Sequence, residues 1–271
     1  MAPLLQKFKH PLGIFSWFGY VLPLQKKLEL IKMAGFDATT LWWEDEETLG
    51  GLEKDDMPDL VRKSGLVLEN IHVPYDHCND LWSESALDRT DIVNKHIAWL
   101  QDCARHNIPM MVIHVTDGPK PPGPNRFGLN SLLQILEIAE EFDVAVAVEN
   151  TGSPAHLHSL FSEVESESLG FCYDTSHDWL YGAERGNPLQ KFGHRLMATH
   201  LSDNDGQQDR HWLPGEGIVD WRRVAQAFPS STYPGALTLE VARKEGSSEP
   251  PEAFLARAYE QLTWVAGLIT P

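Results

Sequence analysis

The sequence has few cysteines, no long apolar run and no concentration of positive charge. Its three cysteines are widely spaced and form no CxxC pair, which argues against a disulfide framework and a thiolate zinc site and fits a reducing compartment. The N-terminal stretch MAPLLQKFKHPLG lacks an apolar run of signal-peptide length, and no run of about 18 apolar residues could cross a membrane. We therefore expect a cytoplasmic protein that does not enter a membrane.

Positive charge is scarce, because 22 Lys and Arg stand against 39 Asp and Glu, giving a formal net charge of −17. The basic residues occur only in small scattered pairs. Such a protein repels the phosphate backbone, whose neutralisation dominates nucleic-acid affinity. We do not expect nucleic acid as a partner, and the sequence leaves the oligomeric state open.

Several sequence motifs of common enzyme classes are also absent. The chain has no GxxxxGK[ST] phosphate loop, no HExxH zinc helix and no GxSxG nucleophile elbow. No GxGxxG follows an early strand, so the fingerprint of an open, doubly wound dinucleotide-binding sheet is missing.

Eight short apolar runs recur along the chain, as expected for parallel strands that are buried on both faces. These candidate strands are Leu12 to Phe15, Ala38 to Trp43, Leu66 to His72, Met110 to His114, Val144 to Glu149, Leu169 to Asp174, Leu196 to His200 and Ala236 to Glu240.

Helical periodicity separates these runs. One apolar stripe begins at Leu24 and is closed by Gly35; another runs from Leu132 to Phe142, after Asn130 and Ser131 as possible caps. Segments 221–228 and 252–268 fit the last two helices, whereas the fifth and sixth are weak. Eight successive βα units in about 250 residues are typical of a closed barrel. We predict an α/β fold, a single (β/α)8 TIM barrel, with residues 1–271 as one domain.

Six consecutive candidate strands end on a side chain that can bind a metal ion. In such a barrel all strands end at one mouth, so these side chains should meet there. The loops add three further candidates. A mixed imidazole and carboxylate shell suits Zn²⁺ or Mn²⁺, and the set is large enough for one to three ions. The nine candidate metal ligands are His72, His114, Glu149, Asp174, His177, His200, Asp209, His211 and Glu240.

Aromatic residues follow the first three strands, where their faces could pack against the C–H face of a sugar. They could equally cap the barrel core, and base stacking would need the same rings. The expected substrate-binding residues are Trp17, Trp42, Glu44, Tyr75 and Trp82.

The runs IHVPY, VIH, AVEN, YDTSHD, HLSDNDG, DRHWLPGEGIVDW and LEV resemble the xylose-isomerase-like TIM-barrel superfamily, from about the third strand to the eighth. This superfamily includes sugar isomerases and epimerases, inosose dehydratase-type enzymes and endonuclease IV (AP endonuclease family 2). In the epimerases, residues matching Glu149, Asp174, His200 and Glu240 hold one ion, and the two glutamates act as acid and base. In endonuclease IV, residues matching all nine candidates hold three zinc ions.

The chain departs from endonuclease IV after two ligands. Val115 and Thr116 follow His114 where the endonuclease has Pro-Gly, and Val241 and Ala242 follow Glu240 where it has Thr-Pro. The segment between His200 and Asp209 is also shorter. The loop DNDGQQDRHWLPGEGIVDW instead resembles the sugar phosphate isomerase/epimerase branch. The resemblance thus implies a metal-dependent isomerase or epimerase of a sugar, sugar phosphate or keto-polyol, with Glu149, Glu240 and His177 as catalytic residues.

Two alternatives stay open. The first is a multinuclear-zinc phosphoester hydrolase of the endonuclease IV type, acting on AP-site DNA or on a small phosphate ester. The second is a metal-dependent sugar-binding barrel without catalysis, which would need no acid and base pair.

Overall fold

The computed structural model describes residues 9–46, 51–182, 184–229 and 232–269. Within them, parallel strands form a sheet of eight in the order β7-β6-β5-β4-β3-β2-β1-β8. Their bounds are β1 Leu12–Phe15, β2 Ala38–Trp42, β3 Val67–His72, β4 Met110–Ile113, β5 Ala145–Glu149, β6 Leu169–Asp174, β7 Leu196–His200 and β8 Leu237–Leu239.

The barrel closes where β7 meets β8. The Leu201 N–H donates to the Thr238 carbonyl at 2.9 Å, and the Glu240 N–H donates to the Leu201 carbonyl at 3.2 Å. With β1 paired to both β2 and β8, the prediction of a single (β/α)8 TIM barrel is confirmed. Each predicted strand agrees with the structure to within one residue at either end.

Helices occupy the segments between the strands and pack their apolar faces on the outside of the barrel. Their bounds are α1 Leu24–Ala34, α2 Met57–Lys63, α3 Ala86–His106, α4 Arg126–Phe142, α5 Pro154–Glu163, α6 Thr175–Tyr181, α7 Asn187–Phe192, α8 Trp221–Ala227 and α9 Pro251–Ile269. Gly35 ends α1 in the left-handed conformation that its sequence position predicts (φ 106°). Among the described helices, none has both the length and the hydropathy to span a membrane.

The predicted cap of α4 was wrong. The helix begins at Arg126 because the side chain of Asn125 accepts hydrogen bonds from the N–H groups of Phe127 and Gly128. Asn130 and Ser131 therefore lie inside the helix. The Ser131 hydroxyl donates to the Leu81 carbonyl at 3.0 Å and ties the helix to the segment after β3.

The strand register brings the ends of neighbouring strands to the same height. His72 on β3 lies opposite Trp42 on β2, and Asp174 on β6 lies opposite His200 on β7. Because all strands are parallel, these ends form one mouth.

Glu69 occupies an irregular position in β3. The register with β2 skips it, since Thr39 pairs with Leu68 and Thr40 with Asn70. Its carboxylate reaches the start of β8 and accepts hydrogen bonds from the Ala236 N–H at 2.6 Å and the Thr238 hydroxyl at 2.9 Å. Burial raises the pKa of Glu69 to about 7, although these two bonds oppose the shift.

The raised pKa of Glu69 predicts a pH-dependent stability. The folded protein holds this proton up to about pH 7, whereas the unfolded chain releases it near pH 4.5. Its stabilising contribution is therefore complete below pH 4.5 and is lost as the pH rises to 7. Glu69→Gln keeps an acceptor for Ala236 and does not titrate. We expect its unfolding free energy, relative to the parent, to rise by about 1–3 kcal/mol between pH 5 and pH 8 in urea titrations. Parallel pH curves for the two proteins would contradict this.

Candidate active site

A cavity of about 300 Å³ lies at the barrel mouth. We call it the mouth cavity. It combines aromatic walls with carboxylates and imidazoles, and all but one of its eleven lining residues are predicted site residues. Its lining comprises Phe15, Trp17, Trp42, His72, Tyr75, His114, Glu149, His177, Asp209, His211 and Glu240.

Four side chains at the base of this cavity converge on one point. One ligand atom from each of Glu149, Asp174, His200 and Glu240 lies within 4.8 Å of all the others. His200 Nδ1 lies 2.9 Å from Glu149 Oε2 and 3.2 Å from Glu240 Oε2. Neither contact has hydrogen-bond geometry, and Asp174 Oδ2 and both ring nitrogens of His200 are buried without a hydrogen-bond partner among the described residues.

This arrangement fits a divalent cation. Two ligands about 2.1 Å from a common ion lie about 3–3.5 Å apart, depending on their angle, which matches the contacts of His200. A shell of two or three carboxylates and an imidazole is one that zinc and manganese accept. The buried polar atoms that lack partners are the ones that such an ion would satisfy.

Glu149 lies at the centre of a larger group of imidazoles. Its Oε2 is 3.3 Å from His72 Nε2 and 3.4 Å from His114 Nε2, and its Oε1 is 2.9 Å from His177 Nδ1. The ring of His72 donates from Nδ1 to the Val73 carbonyl at 2.9 Å. In the neutral ring Nε2 therefore presents a lone pair toward Glu149, an arrangement typical of metal-ligating histidines.

The third group comes from α6 and from the loop between β7 and α8. Asp209 Oδ2 lies 3.2 Å from both His177 Nε2 and His211 Nε2. His211 has a φ of 48°, unusual for a residue with a side chain, and its Nδ1 donates to the Glu240 carbonyl at 3.1 Å. All nine predicted metal-binding side chains thus lie in three adjoining groups at the mouth.

Ser176 contributes to the third group indirectly. Its hydroxyl donates to Asp209 Oδ1 at 2.6 Å, and the Asn204 amide donates to the Ser176 hydroxyl at 3.0 Å. Both residues position Asp209, a role that the sequence analysis did not assign.

Asp203 holds the loop that carries Asp209 and His211, and the sequence analysis missed it. Its Oδ1 accepts from the N–H groups of Asn204 and Val219 at 2.9 and 3.0 Å. Its Oδ2 accepts from the Gly215 N–H at 2.9 Å and the Trp221 indole at 3.1 Å. The sequence feature that could have identified Asp203 is its position beside Asn and Gly in a segment without periodicity, because Asp side chains in such loops often accept hydrogen bonds from the backbone.

The carboxylates respond differently to burial. Burial raises the pKa of Asp174 to about 8. Burial also acts on Glu240, but the neighbouring imidazoles of His200 and His211 outweigh it and lower the pKa of Glu240 to about 2.

Some of the imidazoles gain protons in return. Although burial lowers the pKa of His177, the carboxylates of Asp174 and Asp209 raise it well above its ordinary value. The pKa values of His200 and His211 are also raised despite burial, whereas burial lowers the pKa of His114. Without a metal ion, protons on His177, His200 and His211 balance the charge of the carboxylates. A divalent ion would replace these protons as the balancing charge.

Three of the predicted substrate-binding residues line the mouth cavity and pack against imidazoles. Trp42 stacks on His72 with ring centroids 5.2 Å apart, and Tyr75 stacks on His114 at 4.6 Å. Trp17 meets His211 edge to face at 5.9 Å. These rings restrict the motion of the imidazoles and shield them from water.

Two other predicted contacts are placed elsewhere. Glu44 is exposed and accepts a hydrogen bond from the Trp42 indole, so it orients that ring without lining the mouth cavity. The prediction for Trp82 needs correction. Trp82 is 1% exposed, donates to the Val115 carbonyl at 2.7 Å and covers Gly128 so closely that a Cβ there would lie 1.9 Å from its ring. It is a core residue.

The sequence profile of the xylose isomerase-like TIM barrel family matches residues 28–262. The chain belongs to this family. The match covers all strands except β1, and thus every ligand of the three groups described above.

Curated members of the family match shorter segments. An uncharacterized protein of Sinorhizobium fredii is 36% identical over 106 residues, which cover 37% of this chain and 34% of that protein. Inosose isomerase of Bacillus licheniformis is 23% identical over 128 residues, which cover 42% of this chain and 46% of the isomerase. The chain therefore spans less than half the length of these two relatives.

Solved structures of the family match almost the whole chain. A D-tagatose 3-epimerase-like protein has a TM-score of 0.74 at 20% identity, covering 96% of this chain and 98% of that one. D-psicose 3-epimerase from Clostridium cellulolyticum H10, solved with D-tagatose, has a TM-score of 0.74 at 14% identity, covering 96% and 99%. These likenesses establish the common barrel, and sugar isomerases and epimerases occur among the family's members.

The four bonds of Asp203 predict its importance for the loop. In Asp203→Asn, whichever way the amide is oriented, two of the four N–H donors face another donor. We expect the free energy of unfolding to fall by about 2–4 kcal/mol in denaturant titrations, because buried donors are left unpaired. Asp205→Asn is the matched control in the same loop. The Asp205 carboxylate also accepts three bonds but is partly exposed, so water can compensate and stability should change far less. Equal effects of the two substitutions would contradict this role.

Proposed function

We propose that this protein is a divalent-metal-dependent isomerase or epimerase that acts on a sugar or a related keto-polyol. The observation that carries the proposal is the four-residue cluster of Glu149, Asp174, His200 and Glu240 at the base of an aromatic-walled cavity. The sugar epimerases and isomerases among the family's members support it.

Zinc or manganese would be held by these four residues. When bound, the ion supplies Lewis acidity that polarises the carbonyl of a keto-sugar and makes the adjacent C–H bond more acidic. Further ions could be held by the His72 and His114 pair and by the Asp209 group, so the chain has ligands for one to three.

Glu149 and Glu240 would act as the base and the acid. They come from β5 and the end of β8, both contact His200 Nδ1 and both line the mouth cavity, so a sugar bound there would lie beside both carboxylates. With a metal ion bound to both groups, the carboxylate that acts as base would be ionised, and the other would carry the proton that it donates. In an epimerisation, the base would take the proton next to the carbonyl and become protonated, while the acid would give its proton to the other face of the same carbon and become ionised; exchange with solvent would then restore both.

His177 would assist Glu149. Its Nδ1 lies 2.9 Å from Glu149 Oε1, the oxygen that is not surrounded by His72, His114 and His200. This contact lacks hydrogen-bond geometry, so His177 would exchange a proton with the carboxylate only after its ring turns. Trp17, Trp42 and Tyr75 would bind the C–H face of the sugar and exclude water from the reacting carbon.

A second candidate function is hydrolysis of a phosphoester at a multinuclear zinc site. It is favoured by Asp209 beside the four-residue cluster, because its Oδ2 lies 3.2 Å from an imidazole nitrogen of His177 and of His211. Among the described residues, however, no lysine or arginine lines the mouth cavity to bind a phosphate chain. This lack, together with the net charge of −17, argues against DNA more strongly than against a small ester.

Metal content tests the first step of the proposal. Protein purified without chelator should contain at least one zinc or manganese ion per chain by plasma mass spectrometry. Removing the ion should lower the Tm by roughly 5 °C, since ligand binding to the folded state stabilises it. Asp174→Asn should reduce the metal content, whereas Glu137→Gln on the exposed face of α4 should leave it unchanged. Protein that binds no divalent ion would refute the proposal.

Solvent deuterium exchange separates the two candidate functions. With a panel of ketoses and inososes in D2O, Glu149→Gln and Glu240→Gln should each reduce deuterium incorporation at least about 100-fold, because they remove the proton-transfer groups. Asp209→Asn and His211→Ala should reduce it only partly, since they lie outside the four-residue cluster. Glu137→Gln again serves as control.

The hydrolase requires the opposite pattern. In that case the protein should release phosphate from a small ester in a metal-dependent reaction, and the Glu149 and Asp209 variants should lose this activity equally. If no sugar exchanged deuterium as well, the hydrolase would be the correct function and the isomerase would be refuted.

A further inference from the structure

A second cavity, of about 410 Å³, lies beside the mouth cavity at the ends of β4, β5 and β6. We call it the side cavity. His114 and His177 line both cavities, so the two cavities adjoin at these imidazoles. Its lining also includes Thr116, Asp117, Thr151, Gly152 and Tyr181.

The side cavity offers hydrogen bonds to hydroxyl groups. The hydroxyls of Thr116 and Thr151 lie 2.6 Å apart, and each retains capacity for a further bond. His114 lines the same cavity, and its Nδ1 is buried without a hydrogen-bond partner among the described residues.

The charge of the two cavities selects against anions. Among the described residues, no lysine or arginine lines either cavity, whereas Asp117, Glu149, Asp209 and Glu240 do. A phosphate in the side cavity would meet no lysine or arginine among the described lining residues and would face Asp117.

The outer wall of the side cavity is an aromatic ring over a glycine. Tyr181 is 52% exposed, and its ring lies against Gly152, where an added Cβ would be 3.7 Å from the ring. A half-exposed ring next to hydroxyl groups is suited to the apolar face of a pyranose.

We propose that the side cavity is a second subsite, which binds an uncharged, hydroxylated substituent such as a hexosyl group on the sugar held at the mouth. The proposal rests on the proposed function, and it makes the substrate a glycosylated keto-sugar rather than a free ketohexose or a sugar phosphate.

Calorimetric binding to the manganese-loaded protein tests this subsite without relying on turnover. The probes are fructose, fructose 6-phosphate and the four reducing glucosyl-fructoses linked at O3, O4, O5 or O6. At least one disaccharide should bind about tenfold or more tighter than fructose, since the glucosyl ring adds contacts with Tyr181 and the two threonines. Fructose 6-phosphate should bind no more tightly than fructose.

Two variants locate the added affinity. Gly152→Leu fills the side cavity, and because Gly152 has no left-handed φ, a leucine can adopt its backbone conformation. It should abolish the advantage of the disaccharide and leave fructose binding within about twofold. Gly267→Leu is the matched control, since nothing lies within 4 Å of a Cβ added there on α9. Thr151→Val, which preserves shape, should reduce the disaccharide advantage severalfold through loss of a hydroxyl.

The outcomes separate this proposal from the proposed function. Fructose binding or exchange with no disaccharide preference, or a preference that Gly152→Leu leaves intact, would refute the subsite alone. Tighter binding of fructose 6-phosphate that Gly152→Leu removes would show that the side cavity takes a phosphate and overturn the uncharged substituent. Absence of binding and exchange with every sugar would overturn both.

Discussion

The buried carboxylate of Glu149 is the constraint on which the rest of the site depends. It is 1% exposed and contacts the imidazoles of four different residues, each from a different element. A buried charge without compensation is costly, so these imidazoles, or the ions that they would hold, must stay in place for the barrel mouth to be stable. The same carboxylate would remove or return the substrate proton. Structural and chemical requirements therefore coincide at this residue.

The scaffold fixes the surrounding imidazoles by two means. Aromatic rings pack against those at the rim, as Trp42 does on His72 and Tyr75 on His114. Hydrogen bonds hold the others from behind, and the buried Asp203 organises the whole loop that delivers Asp209 and His211. His211 can keep its left-handed backbone conformation because the hydrogen bonds of the surrounding loop hold it in place. A site on a long loop thereby gains the precision of one built on strands.

Charge links the site to its choice of substrate. The carboxylates favour cations at the mouth, and neither cavity is lined by a basic side chain among the described residues. An uncharged polyhydroxylated ligand is compatible with both features, because its hydroxyls can bind an ion on one side and threonine hydroxyls on the other. The side cavity extends this compatibility beyond a single sugar ring. Acidic residues outnumber basic residues in the chain as a whole, and the same is true of the described residues that line the two cavities.

The sequence by itself determined the barrel and the residues at its mouth. Parallel strands buried on both faces give continuous apolar runs, and their common C-terminal end brings His72, Glu149 and Asp174 together in any closed barrel. Only the tertiary structure decided that Trp82 packs in the core while Trp42 lines the cavity, because the local sequence does not show what surrounds either ring. The sequence also did not predict the role of Asp203 or the side cavity next to His114. They arise from contacts between segments distant in sequence, which local periodicity does not encode.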